Sequence, residues 1–293
     1  MKNELKMISV TDLCFAYPTA QNDTLHGINF DIAETEIFGF LGPSGSGKST
    51  TQKILIGLLQ NYRGDISILG KDRKAWGNEL FEHIGVSFEL PNHYLKLTAR
   101  ENLEHFAGFY KGPTLSPDDV LEWVDLHADA DKKVSDFSKG MKIRLNVARS
   151  LIHQPKILFL DEPTSGLDPV NGRRIKDLIL RLRDQGTTVF VTTHNMTLAD
   201  ELCDRVAFVT TGKIALIDKP DALKMQYGKR SVRVDVANAS GEISSSEYEL
   251  DGLQTNQEFS HDISNAFRID RIHTQETTLD NIFIQVTGRE LIQ

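Results

Sequence analysis

The stretch with the clearest chemistry runs from Gly42 to Ser49 and reads Gly-Pro-Ser-Gly-Ser-Gly-Lys-Ser. Before it, the apolar or small residues of Ile37–Leu41 predict a buried strand, and after it apolar residues recur at helical spacing from Lys48 onward. In this strand–loop–helix setting, the pattern Gly-x-x-x-x-Gly-Lys-Ser/Thr predicts a loop that binds a polyphosphate. The alternative is a glycine-rich turn that binds nothing.

The residue types of this loop match what a polyphosphate requires. Backbone N–H groups can converge on phosphate oxygens only where the chain bends sharply and approaches closely, which Gly42, Gly45 and Gly47 permit. The helix that begins near Lys48 would point its positive end at the same place. We expect the Lys48 ammonium to reach the β- and γ-phosphates and the Ser49 hydroxyl to bind Mg²⁺.

Two adjacent acids, Asp161 and Glu162, end the apolar run Ile157–Leu160. A fully apolar run is typical of a central parallel strand, and open α/β sheets place their chemistry at the carboxyl ends of such strands. We expect Asp161 to lie on the metal side and Glu162 to activate the attacking water. A helix N-cap is the alternative for this pair.

His194 ends the next predicted strand. Such a histidine usually forms a structural hydrogen bond, but at this edge of the sheet it can contact the γ-phosphate and the attacking water.

Three further positions have both a chemical and a structural interpretation. Tyr17, at the end of a predicted strand, can stack on an adenine ring or be a half-buried aromatic residue. Ser138 and Gly140 begin a predicted helix that has no carboxylate in its first turn, so this end can bind an anion, although an ordinary serine N-cap is favoured. Thr50 is expected to donate to the α-phosphate.

The order of predicted elements divides the 293 residues into two domains. The phosphate loop, alternating strands and helices and a closing hairpin describe a nucleotide-binding domain over residues 1–218, and residues 219–293 form a small α/β appendage. Within the first domain, residues from about 90 to 137 are predicted to form an inserted helical subdomain, with Thr98 and Glu101 spaced as a capping box.

The composition excludes several classes of protein. A net charge of −8 and a pI near 5.6 argue against a general nucleic-acid binder. Cys14 and Cys203 are the two cysteines, which fits a reducing compartment and gives neither a disulfide framework nor a metal site. Residues Met1–Lys6 lack the apolar segment of a signal peptide, and no apolar run approaches the roughly 18 residues that span a bilayer. Any membrane role is therefore expected to come through a partner.

The order of the motifs is more specific than any one of them. Gly42–Thr50, Ser138–Lys142, Leu160–Asp168 and Thr193–His194 together resemble the ATP-binding subunits of ABC transporters, and the match covers nearly all of residues 7–218. This resemblance implies an α/β fold with a P-loop NTPase (RecA-like) core, an antiparallel β-subdomain, the inserted helical subdomain and the C-terminal α/β appendage. ATP and Mg²⁺ are the implied ligands.

A narrower resemblance concerns the branch of the family. The sequence Ser-Lys-Gly-Met-Lys at Ser138–Lys142 and the endings Thr278–Phe283 and Thr287–Leu291 are similar to the drug-export branch. There, a one-domain ATPase serves a separate type-2 membrane permease, as in daunorubicin- or fluoroquinolone-type exporters. Two copies, or this chain and a related ATPase subunit, would pair head to tail around two ATP molecules. The resemblance thus implies a cytoplasmic protein, peripheral on the inner face of the cell membrane through its permease, with no nucleic-acid partner.

The resemblance also implies a role for each matching residue. Glu162 and His194 are implied to be catalytic, and Asp168 to communicate across the dimer. The residues implied to bind ATP are Tyr17, Gly42, Pro43, Ser44, Gly45, Ser46, Gly47, Lys48, Ser49 and Thr50. Those implied to contact the ATP of the second copy in trans are Ser138, Lys139 and Gly140. Those implied to hold the metal are Ser49, Glu89 and Asp161.

Two residues depart from the family pattern. Glu89 stands where the family usually has glutamine, so it keeps an oxygen ligand but adds a charge near Mg²⁺. Lys139 replaces a glycine of the usual Leu-Ser-Gly-Gly-Gln signature, which here reads Phe-Ser-Lys-Gly-Met. We expect the first change to alter the dependence on Mg²⁺ and the second to alter the contact with the partner.

Three classes of protein share the phosphate loop. An ATPase subunit that powers export across a membrane fits all motifs. A soluble ATP-gated clamp or regulator on nucleic acid or ribosome is the alternative, but such proteins normally have two heads in one chain or a long coiled coil, and the sequence shows neither. A metabolite kinase shares the phosphate loop but has no need for Ser138–Gly140 or for the residues that follow the acid pair.

Overall fold

The computed structural model describes residues 6–18, 20–228, 231–238, 240–275 and 277–288. The strands are β1 (Lys6–Phe15), β2 (Leu25–Ala33), β3 (Ile37–Leu41), β4 (Arg63–Ile68), β5 (Lys71–Asp72), β6 (Ile84–Ser87), β7 (Ile157–Asp161), β8 (Thr188–Thr193), β9 (Arg205–Thr210), β10 (Lys213–Asp218), β11 (Ser231–Ala237), β12 (Ile243–Glu249) and β13 (Arg268–Gln275). The α-helices are α1 (Lys48–Leu55), α2 (Ala99–Ala107), α3 (Pro117–Trp123), α4 (Lys139–Leu151), α5 (Pro169–Asp184), α6 (Met196–Leu202), α7 (Pro220–Tyr227), α8 (Gln257–Asn265) and α9 (Leu279–Thr287). Packing divides the chain into a larger unit that ends at Lys219 and a smaller unit that begins at Pro220.

The larger unit is built on a six-stranded sheet in the order β10-β9-β3-β8-β7-β6. The five strands from β9 to β6 in this order are parallel, and β10 closes the sheet as an antiparallel hairpin with β9. Every residue of β3, β7 and β8 is buried, as expected for the central strands of a parallel sheet. The α/β fold predicted from the sequence is confirmed. Because the strands are parallel, the carboxyl ends of β3, β7 and β8 meet at one edge.

A second sheet, in the order β2-β1-β4-β5, is antiparallel throughout. Aromatic rings join it to the central sheet: Phe30 of β2 stacks on Phe38 of β3 with ring centroids 5.4 Å apart, and it stacks on Phe190 of β8 at 6.1 Å. All three side chains are buried in one hydrophobic cluster. The two sheets therefore share a single core.

The segment between β6 and β7 contains the helices α2, α3 and α4 and no strand. The predicted capping box is present, since the Thr98 side chain accepts from the backbone N–H of Glu101 and the Glu101 side chain accepts from that of Thr98. The three helices pack on one another, and α4 also packs on β6 and β7. This segment is therefore anchored to the central sheet through α4.

The smaller unit contains a three-stranded antiparallel sheet in the order β12-β11-β13, together with α7, α8 and α9. Its core is small: Val232, Val234 and Tyr248 are buried, with Phe259 and Ile263 of α8 packed against them. In the sequence, the alternation of Ser231–Val236 predicts β11, the run Ile269–Ile272 predicts β13, and the helical spacing of apolar residues from Leu279 to Leu291 predicts α9, whereas neither β12 nor α8 is predicted. The part of this predicted helix after Gly288 lies outside the described residues. Across the described ranges no helix is both long and apolar enough to cross a membrane.

Candidate functional site

The loop from Gly42 to Gly47 connects the end of β3 to α1, as the sequence predicts. Gly47 has φ +112°, a left-handed conformation that favours glycine. Gly42 is required by close approach, because a Cβ atom there would lie 2.1 Å from the carbonyl oxygen of Val209. The Ser46 hydroxyl is buried and has no hydrogen-bond partner among the described residues. The loop therefore presents backbone N–H groups and an unpaired hydroxyl, which suits phosphate oxygens.

Lys48 is the first residue of α1, and its side chain is buried. Its Nζ donates to the carbonyl oxygen of Gly42 at 2.6 Å and to that of Pro43 at 3.1 Å. Burial lowers the pKa of Lys48, while Glu162, Asp161 and Glu89 raise it. The charges of three predicted site acids therefore act on this ammonium group, and these acids come from two different segments of the chain.

Asp161 is the last residue of β7, and it is paired in register with Thr192 of β8. Thr192 Oγ1 donates to Asp161 Oδ1. Burial and the neighbouring Glu162 raise the pKa of Asp161, whereas hydrogen bonds from Thr192 and Ser49 and the charge of Lys48 lower it. Asp161 therefore interacts with both Ser49 and Lys48, and its role on the metal side of the site stays a prediction.

Glu162 follows β7 with φ +48°, which is unusual for a residue other than glycine. Its carboxylate is buried and is held by the next strand: Thr193 Oγ1 donates to Oε2 at 2.8 Å, and the backbone N–H of His194 donates to Oε1 at 2.9 Å. Nδ1 of His194 lies 2.7 Å from the same Oε1. Because a carboxylate only accepts, this Nδ1 carries the hydrogen.

Tyr17 follows β1 and is half-buried. Its hydroxyl lies 3.1 Å from Thr50 Oγ1, and its ring meets Phe15 edge-on with centroids 5.0 Å apart. The structure thus places the predicted adenine-stacking residue beside the predicted α-phosphate donor. The role of either residue in nucleotide binding stays a prediction.

The residues predicted to act in trans lie at the start of α4. Ser138 caps this helix, its Oγ accepting from the backbone N–H of Met141 at 3.2 Å. The Lys139 side chain covers Gly166, where an added Cβ would lie 2.9 Å from Lys139 Nζ. A Cβ on Gly140 would meet the side chain of Leu167. No hydrogen bond or ion pair in the described part of the chain joins Ser138–Gly140 to the phosphate loop, so these residues do not complete the loop of their own molecule.

Asp168 ends the loop that follows Glu162 and caps α5. Its side chain accepts from the backbone N–H groups of Val170 and Asn171 at 3.0 and 3.1 Å. These bonds, with that from the Asn171 side chain as the largest contribution, lower the pKa of Asp168. These capping bonds lie within one chain, so the role of Asp168 across a dimer stays a prediction.

Glu89 is exposed in the loop after β6. This loop is fixed to α4 by several hydrogen bonds, among them that from Arg149 Nη1 to the carbonyl oxygen of Asn92 at 2.6 Å. Asn146 Nδ2 donates to the carbonyl oxygen of Phe88 at 2.7 Å, and His93 Nε2 lies 2.9 Å from the carbonyl oxygen of Lys142. The loop that bears Glu89 therefore connects the phosphate site with the helix that bears Ser138.

The site fits a Mg²⁺ ion that is shared with a nucleotide. No group of three His, Cys, Asp or Glu side chains that could hold a metal occurs in the described ranges. Mg²⁺ in phosphate sites keeps several waters and takes only one or two protein oxygens, which Ser49 and Asp161 can supply from adjacent positions. The unpaired hydroxyl of Ser46 and the buried acids at the sheet edge are consistent with such a ligand.

Several site residues were not predicted from the sequence. Thr192 and Thr193 hold the two acids, and Gln52 is buried with its Nε2 unpaired among the described atoms. A usable signal existed for the threonines, since hydroxyl residues at the end of the strand next to an acid pair can donate to it. Gln52 gave no signal, because polar residues in a helix are ordinary.

Comparison with known proteins identifies the family. The family described as ABC transporter matches residues 25–165, and the family described as the fluoroquinolone efflux ABC transporter C-terminal domain matches residues 230–276. The chain is 50% identical over 286 residues to the fluoroquinolones export ATP-binding protein of Mycobacterium tuberculosis (strain ATCC 25618 / H37Rv), covering 98% of this chain and 95% of that protein. The chain belongs to the ATP-binding subunits of ABC transporters. It binds and hydrolyses ATP with Mg²⁺ as such a subunit.

More distant relatives agree with this assignment of the ABC ATPase. The bacitracin transport ATP-binding protein BcrA of Bacillus licheniformis is 31% identical over 302 residues, covering 96% of this chain and 97% of that protein. The ATP-binding cassette MJ0796, solved as a dimer in a post-hydrolysis state with ADP and Pi, superposes with a TM-score of 0.66 at 29% identity, covering 73% of this chain and 98% of that one. Cassettes of this family therefore work as dimers with a membrane partner.

Proposed function

We propose that this ABC ATPase powers the export of drug-like molecules through a separate membrane permease. The observation that supports this most is the similarity to the Mycobacterium tuberculosis protein, because it extends over 98% of the chain and includes the unit after Lys219 as well as the cassette. By name, that protein serves the export of fluoroquinolones and BcrA serves the transport of bacitracin. Fluoroquinolones are therefore the first cargo to test.

In the proposed hydrolytic step, the chain's own groups bind and orient the reactants. Lys48 exchanges the carbonyl oxygens of Gly42 and Pro43 for phosphate oxygens, so its charge meets the β- and γ-phosphates. Ser49 and Asp161 hold Mg²⁺, which supplies positive charge to the phosphates when bound. Glu162 takes the proton of the attacking water, while Thr193 and His194 keep its carboxylate in position.

The proposed working form is a head-to-tail dimer of two copies or of this chain with a related subunit. Ser138, Lys139 and Gly140 form no described bond with their own phosphate loop, and Ser138 and Lys139 are exposed, so a partner's nucleotide can reach them. The α4 helix has no acidic residue in its first turn, which makes its amino end favourable for a γ-phosphate. ATP bound between two copies would then close the dimer, and hydrolysis would open it.

The proposed permease contact is a groove beside the Glu89 loop. A cavity of about 560 Å³ is lined by apolar and aromatic side chains, among them Leu58, Phe81, Phe88, Tyr94 and Phe106. Its rim includes exposed apolar residues, with Leu58 57% and Tyr94 49% exposed. Such an apolar groove suits a short helix of a partner protein. Because the groove adjoins the loop fixed to α4, movement of α4 would be passed to the partner.

The proposal is tested by drug accumulation in cells that express the chain together with a candidate polytopic permease that co-purifies with it. We expect the pair to lower fluoroquinolone accumulation, and neither protein alone to do so. The Glu162→Gln variant is the matched control, because it should still bind ATP and assemble with the permease but fail to export. Unchanged accumulation with the intact pair, or co-purification with RNA or ribosomes in place of a membrane protein, would refute the proposal.

A further inference from the structure

A second cavity of the larger unit lies away from the phosphate loop, beside the carboxyl-terminal end of α1. It has a volume of about 520 Å³, within the range of small-molecule sites. The residues of interest in its wall are aromatic (Tyr62, Trp76, Phe81) or cationic (Arg73, Lys74). We name this space the Arg73 cavity. Its wall combines flat apolar surface with positive charge.

The Tyr62 side chain is 7% exposed, and within the described residues its hydroxyl has no hydrogen-bond partner. A buried hydroxyl without a partner costs free energy unless a ligand or water satisfies it. Lys74 Nζ lies 4.8 Å from the centroid of the Tyr62 ring. A donor and a cation are thus placed next to each other in the same wall.

Neither cation of the Arg73 cavity has a carboxylate within 4 Å in the described parts of the chain. Arg73 donates to backbone carbonyl oxygens, from Nε to Leu55 at 2.8 Å and from Nη1 to Trp76 at 3.4 Å. Both charges therefore face the cavity without a neutralising partner.

The two acids closest in sequence are committed elsewhere. Asp72 accepts from the backbone N–H of Lys74 at 2.8 Å. Glu79 accepts from Lys71 Nζ at 3.1 Å and from the backbone N–H of Gly77 at 3.0 Å. Neither acid therefore forms an ion pair with Arg73 or Lys74, although the charge of Asp72 acts on Tyr62 in the same wall.

We propose that the Arg73 cavity binds an organic anion, an aromatic carboxylate. The carboxylate accepts from Lys74, from the free Nη2 of Arg73 and from the Tyr62 hydroxyl, and the ring system packs on Trp76 and Phe81. An inorganic anion would leave most of this volume and its aromatic walls without contact, whereas a bicyclic ring fills them. The site lies in the cassette but is separate from the nucleotide site, and it does not depend on the transported cargo.

Arg73 also has a structural role, which decides how the site is tested. Its guanidinium lies directly over Gly57, where an added Cβ would be 1.4 Å from Nη2, and its bond to Leu55 caps the last turn of α1. A substitution of Arg73 would therefore disturb the phosphate-loop helix as well as the cavity. Tyr62→Phe and Lys74→Gln remove one ligand contact each without touching that cap.

The test is isothermal titration calorimetry of the full chain with 2-naphthoate and with its neutral counterpart 2-naphthamide. We expect one saturable site for naphthoate and at least about tenfold weaker binding of the amide, because the amide lacks the charge that Lys74 and Arg73 meet. Tyr62→Phe and Lys74→Gln should each weaken naphthoate by about tenfold and leave the amide almost unchanged.

Lys53→Gln is the matched control. It removes one positive charge from the exposed side of α1, outside the cavity wall, and should leave naphthoate binding unchanged. The proposal is overturned if naphthoate does not saturate a site at millimolar concentration, if the amide binds equally well, or if Lys53→Gln weakens binding as much as Lys74→Gln. Circular dichroism of each variant confirms that the fold is intact, so a loss of binding reports on the cavity.

Discussion

Oε1 of Glu162 accepts twice from His194, from the backbone N–H at 2.9 Å and from the ring Nδ1 at 2.7 Å. The carboxylate is buried, whereas the His194 side chain is 50% exposed. One residue therefore fixes the proposed base through its backbone and connects it to solvent through its ring. The other carboxylate oxygen is held by Thr193, so the orientation of Glu162 is set from a single strand end.

Replacing Glu162 by glutamine should slow phosphate release at least about 100-fold, because the proposed base is lost. In the variant the amide oxygen can still accept from His194 at the position of Oε1, and the amide NH₂ at the position of Oε2 can donate to the Thr193 hydroxyl, so the site should keep its shape and ATP should still bind. We therefore expect an ATP-dependent dimer to accumulate on size exclusion with Mg²⁺. Glu104→Gln, an exposed change on α2, is the control. A variant that hydrolyses at the parent rate and elutes as a monomer would contradict the assignment of the base.

Lys139→Ala should weaken the ATP-dependent dimer by about tenfold without changing the ATP affinity of the single chain, because the lost ammonium would meet only the partner's nucleotide. The measurement is the dimer dissociation constant by analytical ultracentrifugation in the Glu162→Gln background. Lys142→Ala, one turn further along α4, removes a charge from the same helix and serves as the control. Equal effects of the two substitutions would show that Lys139 has no special contact and acts only through net charge.

Glu89→Gln restores the residue that the family usually has at this position. We expect unchanged ATP affinity but a several-fold higher Mg²⁺ concentration for half-maximal hydrolysis, because one negative charge beside the metal is removed. A Mg²⁺ titration of the ATPase rate gives the answer, with Glu104→Gln again as the reference. Superimposable titration curves for parent and variant would mean that Glu89 does not act on the metal.

His93 makes stability depend on pH. Its burial lowers the pKa to about 4, against an opposing contribution from the hydrogen bond to Lys142. In the unfolded chain His93 binds a proton near its ordinary pKa of about 6.5, whereas in the folded chain it stays neutral down to about pH 4. The unfolding free energy is therefore not reduced by His93 above about pH 6.5, and it decreases as the pH falls toward 4. We expect a decrease in unfolding free energy of roughly 2 kcal/mol over this window, after a reduction for partial exposure.

His93→Gln should remove most of that pH dependence, because glutamine can still donate to the Lys142 carbonyl oxygen but does not titrate. Urea unfolding at several pH values measures this pH dependence. The control is His26→Gln, at an exposed position of β2. A variant whose stability falls with pH as steeply as the parent's would exclude His93 as the cause and point to His153, whose pKa burial also lowers.

Local sequence rules were sufficient for elements whose pattern is strong in one short segment. The strand–loop–helix at Ile37–Leu55 and the capping box of α2 are of this kind, because spacing and residue type determine them. β12 and α8 were missed because their residues are mostly polar, and what fixes them is packing on Val232 and Val234 of β11.

The candidate site likewise combines residues that short sequence patterns predict with residues that only the folded chain brings together. The acid pair and the phosphate loop were read from the sequence, but the placement of Thr192 opposite Asp161 depends on the register of β7 and β8. The contact of Lys139 with Gly166 joins two segments that no short pattern relates. Such contacts are set by tertiary structure, so they could be named only from the folded chain.

The stacked rings of Phe30, Phe38 and Phe190 fasten the antiparallel sheet to the strand that precedes the phosphate loop. If Tyr17 stacks on the base and the loop after Gly42 binds the phosphates, as predicted, the two ends of a nucleotide are held by sheets that this packing fixes to each other. The distance between the base site and the phosphate site is then constant. Replacing Phe30 by leucine should make this distance less constant, so that discrimination between purine and pyrimidine triphosphates suffers before hydrolysis itself does.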